Sequence, residues 1–240
     1  MGQKVLHEDN EGNKAETVVI CEVFDQGVVH ASQRLQDYLG FVDPQSKFQP
    51  ATSTLSEILL VNFITFCVEK QAEEHIMTSK MTKQQSSLFG VDWIWTLSGP
   101  DKQIKLQIAV QALQLAELFR SEGSPAEVVE DCCWEAALAD ERFHNRSRFE
   151  KLVESCRLVG RDCLGLFVIF GVPGKPKDIR GVMLDSIAKE EQKCCLSGRN
   201  ALWQFITSTD SFLPTKGMLS NCLGAKSGPK EVGNVHINFL

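Results

Sequence analysis

The sequence predicts an all-α fold: one multi-helix globular domain, ending in a short extended C-terminal segment. Three observations carry this. Apolar residues recur at three- and four-residue spacing over several long stretches. Capping-box patterns recur, as at Thr54-Leu-Ser-Glu57 and Thr82-Lys-Gln-Gln85. Segments that read clearly as strands are few.

Residues 1–14 mix Glu, Asp, Asn, Gly and Lys with little to bury, which predicts a flexible N-terminal arm. Residues 15–240 are then the helical domain. A first helix is expected from about 16 to 39, with Val18, Cys21, Phe24, Val28, Ala31, Leu35 and Tyr38 on one stripe and Gly40 as its left-handed stop. The capping box at Thr54 predicts a second helix. It carries Ile58, Leu59, Val61, Phe63, Ile64, Phe66, Cys67 and Val68 and is apolar on most of its circumference, so it is expected at the centre. The box at Thr82 predicts a helix through Phe89, Trp93 and Trp95, ended by Gly99-Pro100. Asp101 then caps a helix bearing Ile104, Leu106, Ile108, Leu113, Leu115 and Phe119.

Ser124-Pro125-Ala-Glu127 is a strong start signal, residues 135–147 read as a polar loop, and a helix with Phe149, Leu152, Val153, Cys156 and Val159 closes at Gly160. The run from Cys163 to Phe170 fits a buried strand or a buried helix equally. A helix is expected from Asp178 to about Glu191, with shorter ones near 200–206 and 215–223. Val235, Ile237 and Phe239 alternate with polar residues, hence the extended tail.

Composition narrows the function. Of the 240 residues 43 % are hydrophobic, enough for a sizeable core, and the net charge of −6 argues against general nucleic-acid binding. No run approaches the roughly 18 uninterrupted apolar residues of a membrane span, and the N-terminus has no signal-type apolar stretch. Nine cysteines, odd in number and without a Cys-x-x-Cys pair, read as buried thiols in a reducing compartment. A cytosolic chain without metal or cofactor is expected.

The feature closest to a catalytic motif is Gly171-Val-Pro-Gly-Lys-Pro-Lys177. It follows an apolar run, as a phosphate loop does, and is the basis of the alternative reading as a nucleotide-binding enzyme. The pattern lacks the first glycine and the hydroxyl after Lys175, and Pro173 and Pro176 remove backbone donors. A basic surface loop fits better. The five histidines show no two-ligand helical spacing, and no Gly-x-Ser-x-Gly elbow occurs. Gly2 opens a myristoylation pattern, but Leu6 stands where Ser or Thr is wanted, which weighs against acylation. Trp93 and Trp95 are the candidate partner-binding residues, because tryptophan is enriched at interface hot spots. Two apart on a helix, they cannot share a face. Burial of both would make them core instead.

Longer strings carry a resemblance. Met1-Gly-Gln-Lys4, Asp37-Tyr-Leu-Gly-Phe41, Asn62-Phe-Ile-Thr-Phe-Cys67, Lys80-Met-Thr-Lys83, Leu88-Phe-Gly and Asp92-Trp-Ile-Trp-Thr96 resemble the Rab-fifteen effector family. So do Asp101-Lys-Gln-Ile-Lys-Leu106, the stretch from Gly171 to Gly181, and Glu231-Val-Gly. The likeness covers nearly the whole chain and is weakest over 112–146. It implies a helical, non-enzymatic effector of a GTP-bound Rab GTPase. It further implies recruitment to early or recycling endosomes, mainly through the Rab, and support of receptor recycling of the transferrin-receptor type from the endocytic recycling compartment. A scaffold for a non-Rab partner is the remaining alternative.

Overall fold

The computed structural model describes residues 2–45, 47–115, 146–160, 162–194, 196, 198–223 and 235–239, with side chains from Thr17 onward except at 193 and 194. The elements run α1 (Gly2–Leu35), α2 (Thr52–Glu69), β1 (Ile76–Lys80), α3 (Lys83–Phe89), β2 (Trp93–Ser98), β3 (Ile104–Gln114), α4 (Arg148–Val159), β4 (Cys163–Val172), β5 (Lys175–Met183), α5 (Leu184–Cys194), α6 (Gly198–Ser208), β6 (Phe212–Pro214), α7 (Thr215–Leu223) and β7 (His236–Asn238). The strands form one mixed sheet in the order β1-β2-β3-β4-β5-β7-β6. Among the described strands only the pairs β3/β4 and β6/β7 are parallel. The all-α expectation is therefore overturned: this is an α/β fold built on a seven-stranded sheet.

The error has a physical source. The capping box at Thr82 is real: its hydroxyl accepts from the Gln85 amide, and the Gln85 side chain accepts from the Thr82 amide. But the helix it starts ends at Gly90, held left-handed at φ 69°. Trp93, Trp95 and Leu97 then alternate along β2, and Leu106, Ile108, Val110 and Ala112 along β3, all into one core. The other face of β3 supplies Ala109 and Leu113 to a second core. A strand apolar on both faces satisfies a helical template as easily as a β one. In β4 all ten residues are buried, which erases alternation altogether. Asp101, expected to cap a helix, instead accepts from the Gln103 amide in the β2–β3 turn.

Helices cover both faces of the sheet. One core lies under α1, α2 and α7, the other under α4, α5 and α6. The α1 stripe holds at Cys21, Phe24, Val28, Ala31 and Leu35, whereas Val18 and Tyr38 are exposed. The α2 helix begins at Thr52 without a side-chain cap, so Thr54 lies inside the first turn and its capping box does not form. The helix expected from Asp178 begins only at Leu184, after β5. The box that starts α4, Ser147 with Glu150, is formed but was not foreseen. The expected start at Ser124-Pro125 and most of the 135–147 loop lie outside the described residues. The α7 helix and the extended tail, β7, fall where the sequence places them.

Candidate functional site

Trp93 and Trp95 are 0 % and 1 % exposed. Strand geometry puts residues two apart on one face, so the rings meet edge to face at 5.4 Å. Trp95 also packs 5.2 Å from Phe24 and 5.2 Å from Phe63. Neither side chain offers surface to a partner; they tie β2 to α1 and α2.

The 171–177 segment is the β4–β5 hairpin. Val172 pairs with Lys175 across a Pro173-Gly174 turn, and Gly174 adopts φ 74°. Pro at the second and Gly at the third position of a tight turn fit that geometry. An antiparallel strand follows, so the loop opens onto no helix N-terminus and the phosphate-loop arrangement is not formed. Gly2 is the first residue of α1.

A cleft of about 650 Å³ lies between the starts of α2, α3 and α4. Four of its five described lining charges pair with one another. Asp92 accepts from Ser86 Oγ at 2.6 Å, from Arg148 Nη2 at 2.7 Å and from the Ala112 amide at 2.8 Å. Lys80 pairs with Glu57. Neither His nor Cys is among the described lining residues. This network fastens α4 to β2 and β3. Elsewhere burial pushes the Cys67 thiol up to about 12 and those of Cys21 and Cys222 to about 11, the direction of poor nucleophiles. Among the described residues no group of three or more His, Cys, Asp or Glu is placed to hold a metal ion.

The surface that stands out is the outer side of α2. In its 18 residues the helix carries only two charges, Glu57 and Glu69. Its inner side, with Leu55, Leu59, Leu60, Phe63 and Cys67, packs into the core. Its outer side mixes exposed Ser53, Thr54, Glu57 and Thr65 with three exposed apolar residues: Val61 is 63 %, Ile64 42 % and Val68 51 % exposed. The spacing of three and four aligns them as one stripe. By length and hydropathy α2 also suits a membrane crossing, but its inner side belongs to the packed core. A helix expected at the centre is thus a surface helix whose solvent-facing side carries an apolar stripe among polar residues. Beside it runs β1, the edge strand, which among the described residues pairs with β2 alone. Met77 on β1 is 44 % exposed, and a shallow groove of about 360 Å³ lies between Ile64 and Met77. Ion pairs Lys80–Glu57 and Lys102–Glu74 border this face. An apolar centre within a polar rim is the anatomy of a protein interface.

Sequence reasoning missed this face because it assigned the apolar circumference of α2 to the core. The signal that would have found it is the scarcity of charge on both sides of a helix in a two-sided α/β sheet fold, where a covering helix needs one solvated face.

The fold and this surface define a class: an α/β domain built on a seven-stranded mixed sheet, with an apolar stripe exposed on one covering helix. A family model described as Rab15 effector matches residues 5–239. The Rab15 effector protein of Mus musculus is 45 % identical over 240 residues, spanning 100 % of both chains. The chain belongs to the Rab15 effector family, and its role is that of a Rab-associated effector.

Proposed function

We propose that the chain is a non-enzymatic effector that binds Rab15 in its GTP-loaded state through the α2–β1 face. The observation that carries this is the unpartnered stripe Val61, Ile64 and Val68 with Met77 beside it, in a chain of this family. A Rab's switch segments are ordered by the γ-phosphate and magnesium. A rigid apolar patch with a polar rim suits the reading of such a surface, because it costs little ordering entropy on binding. α2 is held rigid from beneath by Phe63 against Phe24 and Trp95. Through the Rab the chain is recruited to early and recycling endosomes, where it supports receptor recycling of the transferrin-receptor type. Gly2, the first residue of α1, is unacylated.

The test is a calorimetric titration of the full chain with Rab15 loaded with a non-hydrolysable GTP analogue or with GDP. Binding is expected to be at least about tenfold tighter to the GTP form. Equal affinity for both overturns the proposal, since without differential binding there is no switch readout.

A further inference from the structure

We propose that the loop joining α1 to α2, with the tip of the β4–β5 hairpin, is a second contact surface that rests directly on an anionic lipid headgroup layer. The loop presents Phe41, Val42 and Phe48 at 50 %, 79 % and 60 % exposure. The Phe41 and Phe48 rings meet edge to face at 6.2 Å. A side chain on Gly40 would lie 3.4 Å from Pro176 and 3.7 Å from Lys177, so loop and hairpin tip form one surface. Three exposed lysines flank the aromatics: Lys47, Lys175 and Lys177. In a chain of net charge −6 such a grouping is a local exception.

Three features favour a lipid surface over a protein. First, the apolar side chains stand on a protruding loop and a turn, the shape of an interfacial anchor, with lysines placed to meet acidic headgroups. Second, one side chain ties down part of the loop's backbone. The Asp43 carboxylate accepts from the amides of Gln45, Lys47 and Phe48 at 3.1, 2.9 and 3.0 Å, which also holds its pKa below the usual range. Donors tied internally are what a water-poor layer demands. Third, Asp43 and Asp178 are engaged, Asp43 by those amides and Asp178 by Lys175 at 4.0 Å and Arg180 at 3.6 Å, which leaves Asp37, at the α1 end of the loop, as the exposed carboxylate. The surface is separate from the α2 stripe and does not depend on the Rab reading.

The test is co-sedimentation of the full chain, without any Rab, with phosphatidylcholine vesicles lacking or containing phosphatidylserine, at low and high salt. The chain is expected to pellet with the phosphatidylserine vesicles and to be released by salt. Phe41→Asp with Phe48→Asp lowers partitioning at least about tenfold. Lys175→Glu with Lys177→Glu, confined to the hairpin tip, lowers it by a similar factor and removes the phosphatidylserine preference. Unchanged melting shows each variant folded. Absence of vesicle binding at low salt, or binding that both variants retain, overturns the proposal. So does a result in which Phe41→Asp with Phe48→Asp weakens binding to GTP-loaded Rab15 but leaves vesicle binding intact, because the patch is then a protein contact.

Discussion

Three positions on α2 separate binding from folding. Val61 and Val68 are 63 % and 51 % exposed, whereas Phe63 is 1 % exposed. Covering the two valines on docking removes roughly 60 Å² of apolar surface each, or about 3 kcal/mol together at about 25 cal/mol per Å². Val61→Asp with Val68→Asp is therefore expected to weaken binding to GTP-loaded Rab15 by about a hundredfold. Stability should change by about 1 kcal/mol or less, because Val and Asp have similar helix propensity and both positions face solvent. Phe63→Ala has the opposite signature. Its ring lies 5.2 Å from both Phe24 and Trp95, and deleting it should cost about 3–5 kcal/mol of unfolding free energy. Calorimetric titration measures the first quantity and urea denaturation the second. If the double valine variant binds within about threefold of the parent while melting normally, the α2 stripe is not the contact and the assignment falls.

Three further outcomes follow from the geometry. Gly90→Ala should destabilise by about 3 kcal/mol or more in urea, since φ is 69° and the added Cβ would lie 2.3 Å from the Arg148 carbonyl oxygen; a loss below about 1 kcal/mol would refute the packing argument. His236 is buried beside Arg180, and burial chiefly, then that charge, lowers its pKa to about 4. Between pH 6.5 and about 4 the unfolded imidazole takes a proton that the folded one refuses, so stability should fall as pH drops through that window, by about 1–2 kcal/mol after allowance for solvent screening. His236→Gln should flatten that slope in pH-dependent melting curves. Cys21, Cys67 and Cys222 should resist iodoacetamide at pH 8 in the native chain and react after denaturation, read by peptide mass spectrometry.

Local signals were legible where one principle governed the outcome. The box at Thr82 and the tight basic loop at 171–177 each depend on a few adjacent residues and require no knowledge of what packs above them, whereas the left-handed stop at Gly90 was passed over in favour of Gly99-Pro100. The strand character of 93–98 and 104–114 was present as alternation at Trp93, Trp95 and Leu97 and at Leu106, Ile108 and Val110. It was masked because apolar residues also occupy the opposite face of β3, as at Ala109 and Leu113. The run in β4 had no alternation to read, since both of its faces are covered.

Sequence by itself determined the family, the absence of a complete phosphate-loop pattern, and the positions of α7 and β7. Those conclusions rest on residue identity or on spacing within a few positions. The tertiary structure decided the fold class, because helix and strand compete for the same apolar runs until cross-strand partners are known. It also decided which apolar residues are surface. Composition cannot distinguish Val61 from Phe63, two positions apart on one helix. Only the packing of Phe24 and Trp95 against Phe63 shows that one side of α2 is already satisfied and that the other still faces water.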